Sequence, residues 1–202
     1  MINRLLTRWR RMRLAAILRE TAPEDTCYIA SNCIGGRLSQ LSGRPYRSPT
    51  VGLWFAPDDF LRFAADLSTY LVERVRERAD LAEGCGHPVG EVGDVVLWFQ
   101  HYPDFAAAER DWRRRADRVD LKRVALTFTD RDGARPEHLE RFELLTAPRI
   151  AFTTGAGGLH AAPVPAYRGA ACVGDLYTHW TALAPVLTRE RCSVWLSELR
   201  AG

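Results

Sequence analysis

The chain has 202 residues, enough for one domain with a substantial hydrophobic core. Its composition, 47% hydrophobic and 26% charged, excludes fibrous and intrinsically disordered classes. A formal charge of only +3 gives no electrostatic case for a nucleic-acid partner, and none is expected.

The five cysteines are odd in number and irregularly spaced, which does not suit a disulfide framework. Cys85 and His87 lack a second pair at metal-site spacing, so no structural zinc is expected. Thiols kept free in this way point to a reducing, cytoplasmic compartment.

In chain order, residues 1–22 form a basic amphipathic helix and connector ahead of a single α/β domain over 23–202. Arginines interrupt the apolar residues, so neither a signal-peptide core nor a membrane span arises. Leu5, Trp9, Met12 and Ala16 recur at helical spacing, and no acid precedes Glu20. Two readings stand side by side. Residues 1–20 lie on an anionic membrane surface or acidic partner, at the inner face of the membrane, or they pack this stripe on their own domain.

Short apolar runs then alternate with amphipathic ones. Strands are expected at 27–31, 51–55, 95–100, 124–129 and 150–153. Helices are expected at 34–41, 58–78, 104–119, 136–145 and 191–199, two of them opened by Pro57 and Pro136. Residues 155–169 read as a loop, and 171–180 as an added edge strand. The alternation predicts an α/β fold with a mainly parallel sheet and flanking helices.

Parallel sheets bind ligands beyond the carboxyl ends of their strands. There the sequence places Asn32-Cys33 before Gly35-Gly36, His101-Tyr102, and Asp130 with Asp132. A thiol at a helix N-terminus can be stabilised as the nucleophilic thiolate. Gly35 and Gly36 offer backbone oxyanion donors, His101 a base, and Asp130 or Asp132 a carboxylate to fix its tautomer. Set against this, an isolated cysteine is usually a small buried hydrophobe. Cys27, Cys172 and Cys192 are read that way, and His138 as solvated.

The Asp-x-Asp after a strand also resembles the metal site of nucleotide-sugar glycosyltransferases, in which Asp130 and Asp132 would hold Mn or Mg. Asp132-Gly133 equally suits a turn. Among the arginines of "WRRRADR", Arg115 and Arg118 are expected to face the strand ends and hold an anionic substrate, the others to be solvated.

The ordered set "IASNCIGGRL", "SPTVGLWFAPDDFLRFAADLSTYL", "HPVGEVGDVVLWFQHYPDF", "WRRRADRV", "TFTDRDG", "RIAFTT" and "VGDL" resembles a bacterial family of uncharacterised domains associated with exopolysaccharide and capsule biosynthesis. The likeness runs from about Tyr28 to the C-terminus. Ser31, Ile34 and His87 depart from the family's pattern, which bears on substrate preference. The Asn-Cys corner and Phe-x-His-Tyr are also similar to a group described as papain-like cysteine peptidases, whose dyad would fall on Cys33 and His101. The resemblance implies a role in exopolysaccharide biosynthesis acting on a sugar or lipid-linked saccharide. On the strand-end reading above, Cys33, His101 and Asp130 would catalyse acyl transfer or hydrolysis without a cofactor, and Asn32, Asp132, Arg115 and Arg118 would bind substrate. A metal-dependent glycosyltransferase and a non-catalytic binding module are the alternatives.

Overall fold

The computed structural model describes residues 2–155 and 157–200; Met1, Ala156, Ala201 and Gly202 fall within predicted segments but outside the described residues. Four strands, β1 (Cys27–Ala30), β5 (Val124–Thr129), β6 (Arg149–Thr153) and β7 (Ala161–Pro163), form a parallel sheet in the order β1-β5-β6-β7. β5 lies second from one edge and all six of its residues are buried.

Because successive side chains point to opposite faces, the sheet divides two cores. Tyr28, Ala30, Ala125, Ile150 and Phe152 pack with α1 (Ile2–Thr21), α2 (Ile34–Ser42) and α8 (Arg189–Leu196). Ile29, Leu126, Phe128 and Ala151 pack on the other side with α3 (Pro57–Ala65), α6 (Phe105–Ala116) and α7 (Pro136–Glu143). The second core is rich in aromatic contacts; the Phe128 ring lies 5.7 Å from that of Phe60 and 5.3 Å from that of Phe142. Such pairs add to the simple burial of area.

The predicted α/β architecture with a mainly parallel sheet stands. Several elements differ, each for a local reason. The helix expected over 58–78 stops at Asp66, whose φ of −140° is non-helical. The Asp66 carboxylate accepts from the Thr69 N–H at 3.2 Å and starts a new short helix, α4 (Leu67–Tyr70). The chain then enters a second, antiparallel sheet of β2 (Arg76–Glu77), β3 (Val89–Val92) and β4 (Val95–Trp98), with the one-turn α5 (Ala79–Ala82) between β2 and β3. So the strand expected at 95–100 is real but lies outside the parallel sheet. Residues 51–55 form a single bridge, Trp54 to Trp98, rather than a strand. β7 arises within the segment read as loop, and residues 171–180 are irregular rather than an edge strand.

α1 also buries a different stripe from the one its spacing suggested. Leu14, Ile17 and Leu18 enter the first core, whereas Leu5, Trp9 and Met12 stay exposed. Among the described residues no helix is long and apolar enough to cross a membrane.

Gly35 is fixed by close approach of α2 to β1. A Cβ there would sit 2.8 Å from the Tyr28 carbonyl oxygen and 2.9 Å from the Ala30 Cβ. At Gly36 the nearest atoms are 3.6–4.0 Å away, ordinary contact. Gly35→Ala should therefore cost about 1–3 kcal/mol through overpacking, while Gly36→Ala stays within about 1 kcal/mol of wild type. Urea unfolding of the two variants measures the difference.

Candidate functional site

The site is assembled by an extended strap, residues 50–55, running from the end of β1 to the continuation of β4. On the β1 side, the Ala30 N–H donates to Thr50 Oγ1 at 3.1 Å and the Phe55 N–H to the Ser31 carbonyl at 3.0 Å. On the other side Trp54 and Trp98 exchange backbone hydrogen bonds of 3.0 and 3.1 Å, and the His101 N–H donates to the Gly52 carbonyl at 3.0 Å. The indoles of Trp54 and Trp98 stack at 5.0 Å. Gly52 has φ of +82°, and a Cβ there would lie 3.1 Å from the Tyr102 ring, so only glycine suits this step. These bonds carry His101, in the turn after β4, to the place where β1 delivers Cys33.

Asn32 secures the strand ends. Its Nδ2 donates to Thr129 Oγ1 at 2.8 Å and to Asp132 Oδ2 at 3.1 Å, and its Oδ1 accepts from the Ile34 N–H at 3.3 Å. One amide thus joins β1, the end of β5 and the start of α2. Asp132, at φ +58°, and Gly133, at +87°, make the left-handed turn expected of that pair. The Asp132 carboxylate meanwhile lines a cleft with Asn32.

Two adjoining clefts result. The first, about 380 Å³, is lined by Cys33, Gly36, Tyr46, His101, Tyr102 and Arg115 among others. The second, about 500 Å³, is lined by Asn32, Cys33, Trp54, His101, Asp132 and Asp175, with Arg131 beside them. Cys33, His101 and Tyr177 belong to both. A larger cleft beside α1 holds no such pairing of thiol and imidazole, so the chemistry selects these two.

The thiol rests protonated. Burial pushes the Cys33 pKa up to about 11, with Asp175 raising it, Arg131 lowering it and Asp132 raising it further. Its Sγ lies 3.9 Å from the Leu53 carbonyl oxygen. The expected stabilisation of a thiolate at the helix N-terminus is thus outweighed by burial and two carboxylates. The Gly35 and Gly36 N–H groups are nevertheless the remaining N-terminal donors of α2, since Ile34 is capped by Asn32 and Arg37 bonds to Cys33.

Asp130 does not orient His101. Its Oδ2 accepts from the Thr154 N–H at 2.6 Å and hydroxyl at 3.0 Å, and its Oδ1 from the Val173 N–H at 2.7 Å. The carboxylate instead ties the ends of β5 and β6 to the segment carrying Asp175 and Tyr177. The Asp130 oxygens are thus engaged by Thr154 and Val173, and the Asp132 carboxylate by Asn32. Among the described residues no group of three or more His, Cys, Asp or Glu is placed to hold a metal ion. The His101 ring makes no hydrogen bond among the described residues, and its side chain is exposed at the cleft mouth.

Of the two arginines, only Arg115 reaches the site. It is 7% exposed; one Nη donates to the Tyr102 hydroxyl at 2.6 Å and the other to Asp111 Oδ2 at 2.9 Å. Among the described residues its buried Nε has no hydrogen-bond partner. Burial raises the Asp111 carboxyl, but Arg114 and Arg115 more than compensate and hold it below the ordinary carboxylate range. Arg118 is exposed and donates to the Arg114 carbonyl, outside both clefts.

Sequence reasoning missed Tyr46, Trp54, Tyr177, Arg131 and Asp175 as cleft residues. Tyr177 is held by Arg37, whose guanidinium lies 4.2 Å above its ring, and by Gln40 at 3.0 Å. No local signal announces this, because the partners are far apart in the chain. Cys27 and Cys192 are buried, with thiols pushed up to about 12 by burial, whereas Cys172 is half-buried rather than core. His138 is not solvated but 2% exposed; its Nδ1 accepts from the Arg135 N–H at 2.9 Å and its Nε2 faces Asp58 at 3.4 Å.

A parallel-sheet domain with a polar, aromatic-walled cleft beyond its strand ends is the class that this geometry defines. The chain belongs to the family described as a domain of unknown function, DUF1919, whose match covers residues 8–156. That match begins inside α1 and ends just after β6, so it takes in most of the basic helix that the sequence resemblance left out. A protein of Haemophilus influenzae, described as uncharacterized, is 28% identical over 153 residues, covering 75% of this chain and 69% of the relative.

Arg115→Ala should destabilise the fold by about 2 kcal/mol, because it removes the buried donor to the Tyr102 hydroxyl and leaves Asp111 with Arg114 alone. Arg118→Ala should stay within about 0.5 kcal/mol; denaturant midpoints decide. Alkylation of Cys33 by iodoacetamide, followed by peptide mapping, should speed up about tenfold per pH unit from neutrality. No plateau is expected until near pH 11, the value to which burial raises the thiol.

Proposed function

We propose that the protein serves exopolysaccharide biosynthesis as a thiol-dependent acyltransferase or hydrolase acting on a sugar or lipid-linked saccharide. The observation that carries the chemistry is that Cys33, at the start of α2, and His101, in the turn after β4, line the same two clefts. The pathway rests on the sequence resemblance. The substrate class is supported by Tyr46, Tyr102, Tyr177 and Trp54, whose ring faces suit the apolar faces of a sugar, and by amide, carboxylate and guanidinium groups suited to its hydroxyls.

In this reading the Cys33 sulfur attacks an acyl carbonyl as its proton passes to His101. The oxyanion meets the N–H groups at the start of α2, with Gly36 at the cleft wall. Collapse expels the leaving group, which takes the proton from His101 and leaves a thioester on Cys33. A sugar hydroxyl or water then attacks the thioester and gives its proton to His101. Expulsion of the sulfur restores the thiol. A thiol that stays neutral until substrate arrives is protected from adventitious alkylation, consistent with its raised pKa.

A second reading, saccharide binding without covalent chemistry, is favoured by that same raised pKa and by the commitment of Asp130 elsewhere. The two are separated by p-nitrophenyl acetate as a generic acyl donor. The acyltransferase reading predicts nitrophenolate release with acetyl mass on the Cys33 peptide, lowered about 100-fold or more in Cys33→Ser and in His101→Ala. Equal release by wild type and both variants, or label confined to Cys85, eliminates the nucleophile and leaves the binding reading.

A further inference from the structure

α1 presents to solvent an apolar stripe that the fold does not use. At about 100° per residue, Leu5, Trp9, Met12 and Ala16 fall on one arc about 60° wide. The arc lies opposite Leu14, Leu18 and Thr21, which are buried against the domain. Leu5 and Met12 are each 63% exposed and Trp9 57%, all three on one face. Large apolar side chains grouped this way mark an interaction surface.

The stripe has basic borders. Arg8 and Arg13 flank the arc on its two sides, and the Arg13 guanidinium lies 5.6 Å above the Trp9 ring. Arg4, Arg10 and Arg11 continue the charge around the exposed turns. The nearest acid along the helix, Glu20, is paired with Arg189. Among the described residues no carboxylate pairs with Arg4, Arg8, Arg10, Arg11 or Arg13. Between α1 and residues 166–185 opens a cleft of about 780 Å³ lined by Trp9, Arg10 and Arg13, room for an anionic headgroup beside the stripe.

We propose that this exposed face of α1 lies in the headgroup layer of an anionic bilayer, with Leu5, Trp9 and Met12 entering the acyl boundary and the arginines on lipid phosphates. An aromatic and two long apolar side chains between guanidinium groups match the chemistry of that layer. A second copy of the chain suits the face poorly, since two-fold pairing would set one cluster of five arginines against its twin. The surface is independent of the Cys33 clefts and stands whatever chemistry they perform.

The test is co-sedimentation of the full chain with vesicles of pure phosphatidylglycerol and of pure phosphatidylcholine. Binding to the anionic vesicles alone is expected, falling at least about tenfold in Trp9→Glu/Met12→Glu. Each of Arg8→Gln and Arg13→Gln should weaken it about fivefold. All four positions are exposed, so thermal unfolding of the variants should match wild type. Absence of binding to phosphatidylglycerol overturns the proposal. So does binding that the arginine changes weaken but Trp9→Glu/Met12→Glu does not, which describes electrostatic adsorption without entry of the stripe. A wild-type dimer on gel filtration that the double variant converts to monomer would assign the face to a second copy instead.

Discussion

The backbone hydrogen bonds of the strap at residues 50–55 are the constraint on which the site depends. β1 and β4 belong to different sheets and share no ladder, so nothing in regular secondary structure sets the position of His101 relative to Cys33. Four backbone–backbone bonds, one toward β1 and three toward the β4 side, and the bond from the Ala30 N–H to the Thr50 hydroxyl set it instead. Val51 adds a further tie, its carbonyl accepting from the Tyr102 hydroxyl at 3.0 Å. Because the strap is neither helix nor strand, its conformation is over-determined by neighbours on both sides, which suits a support for convergent side chains.

The environment of Cys33 shows two opposing effects at close quarters. The start of α2 favours an anion by less than burial and the nearby carboxylates disfavour one, so the thiol remains neutral at rest. A substrate that brings positive or hydrogen-bonding groups against Asp132 and Asp175 would relax the part of this penalty that the carboxylates impose. Reactivity would then be tied to occupancy rather than built into the empty cleft.

Much of the fold was legible because burial on both faces writes itself into composition. β5 is a six-residue apolar run with threonines, and residues 124–129 were predicted and found with the same limits. Pro57 and Pro136 likewise marked the starts of α3 and α7. What stayed hidden has long-range causes. The periodic apolar residues after Phe60 continue past Asp66, and only the cap made by its side chain reveals the break. Residues 51–55 have strand composition, yet only Trp54 forms a bridge, with Trp98. At the site, the sequence placed Asn32, Cys33, His101 and Asp132 near the strand ends, and they line the clefts. It could not show that Asp130, two residues from Asp132, turns toward Val173. Nor could it show that residues 175–177 return to close the cleft wall.

The claim that β1 and the strap bring one thiol and one imidazole into a shared cleft is tested most directly by the short bifunctional alkylator dibromoacetone, followed by peptide mapping. The account predicts a covalent link between the Cys33 and His101 peptides, formed in the folded chain and lost on unfolding. Cys33 capped singly while His101 stays unmodified, or Cys33 joined to any other residue, would contradict it.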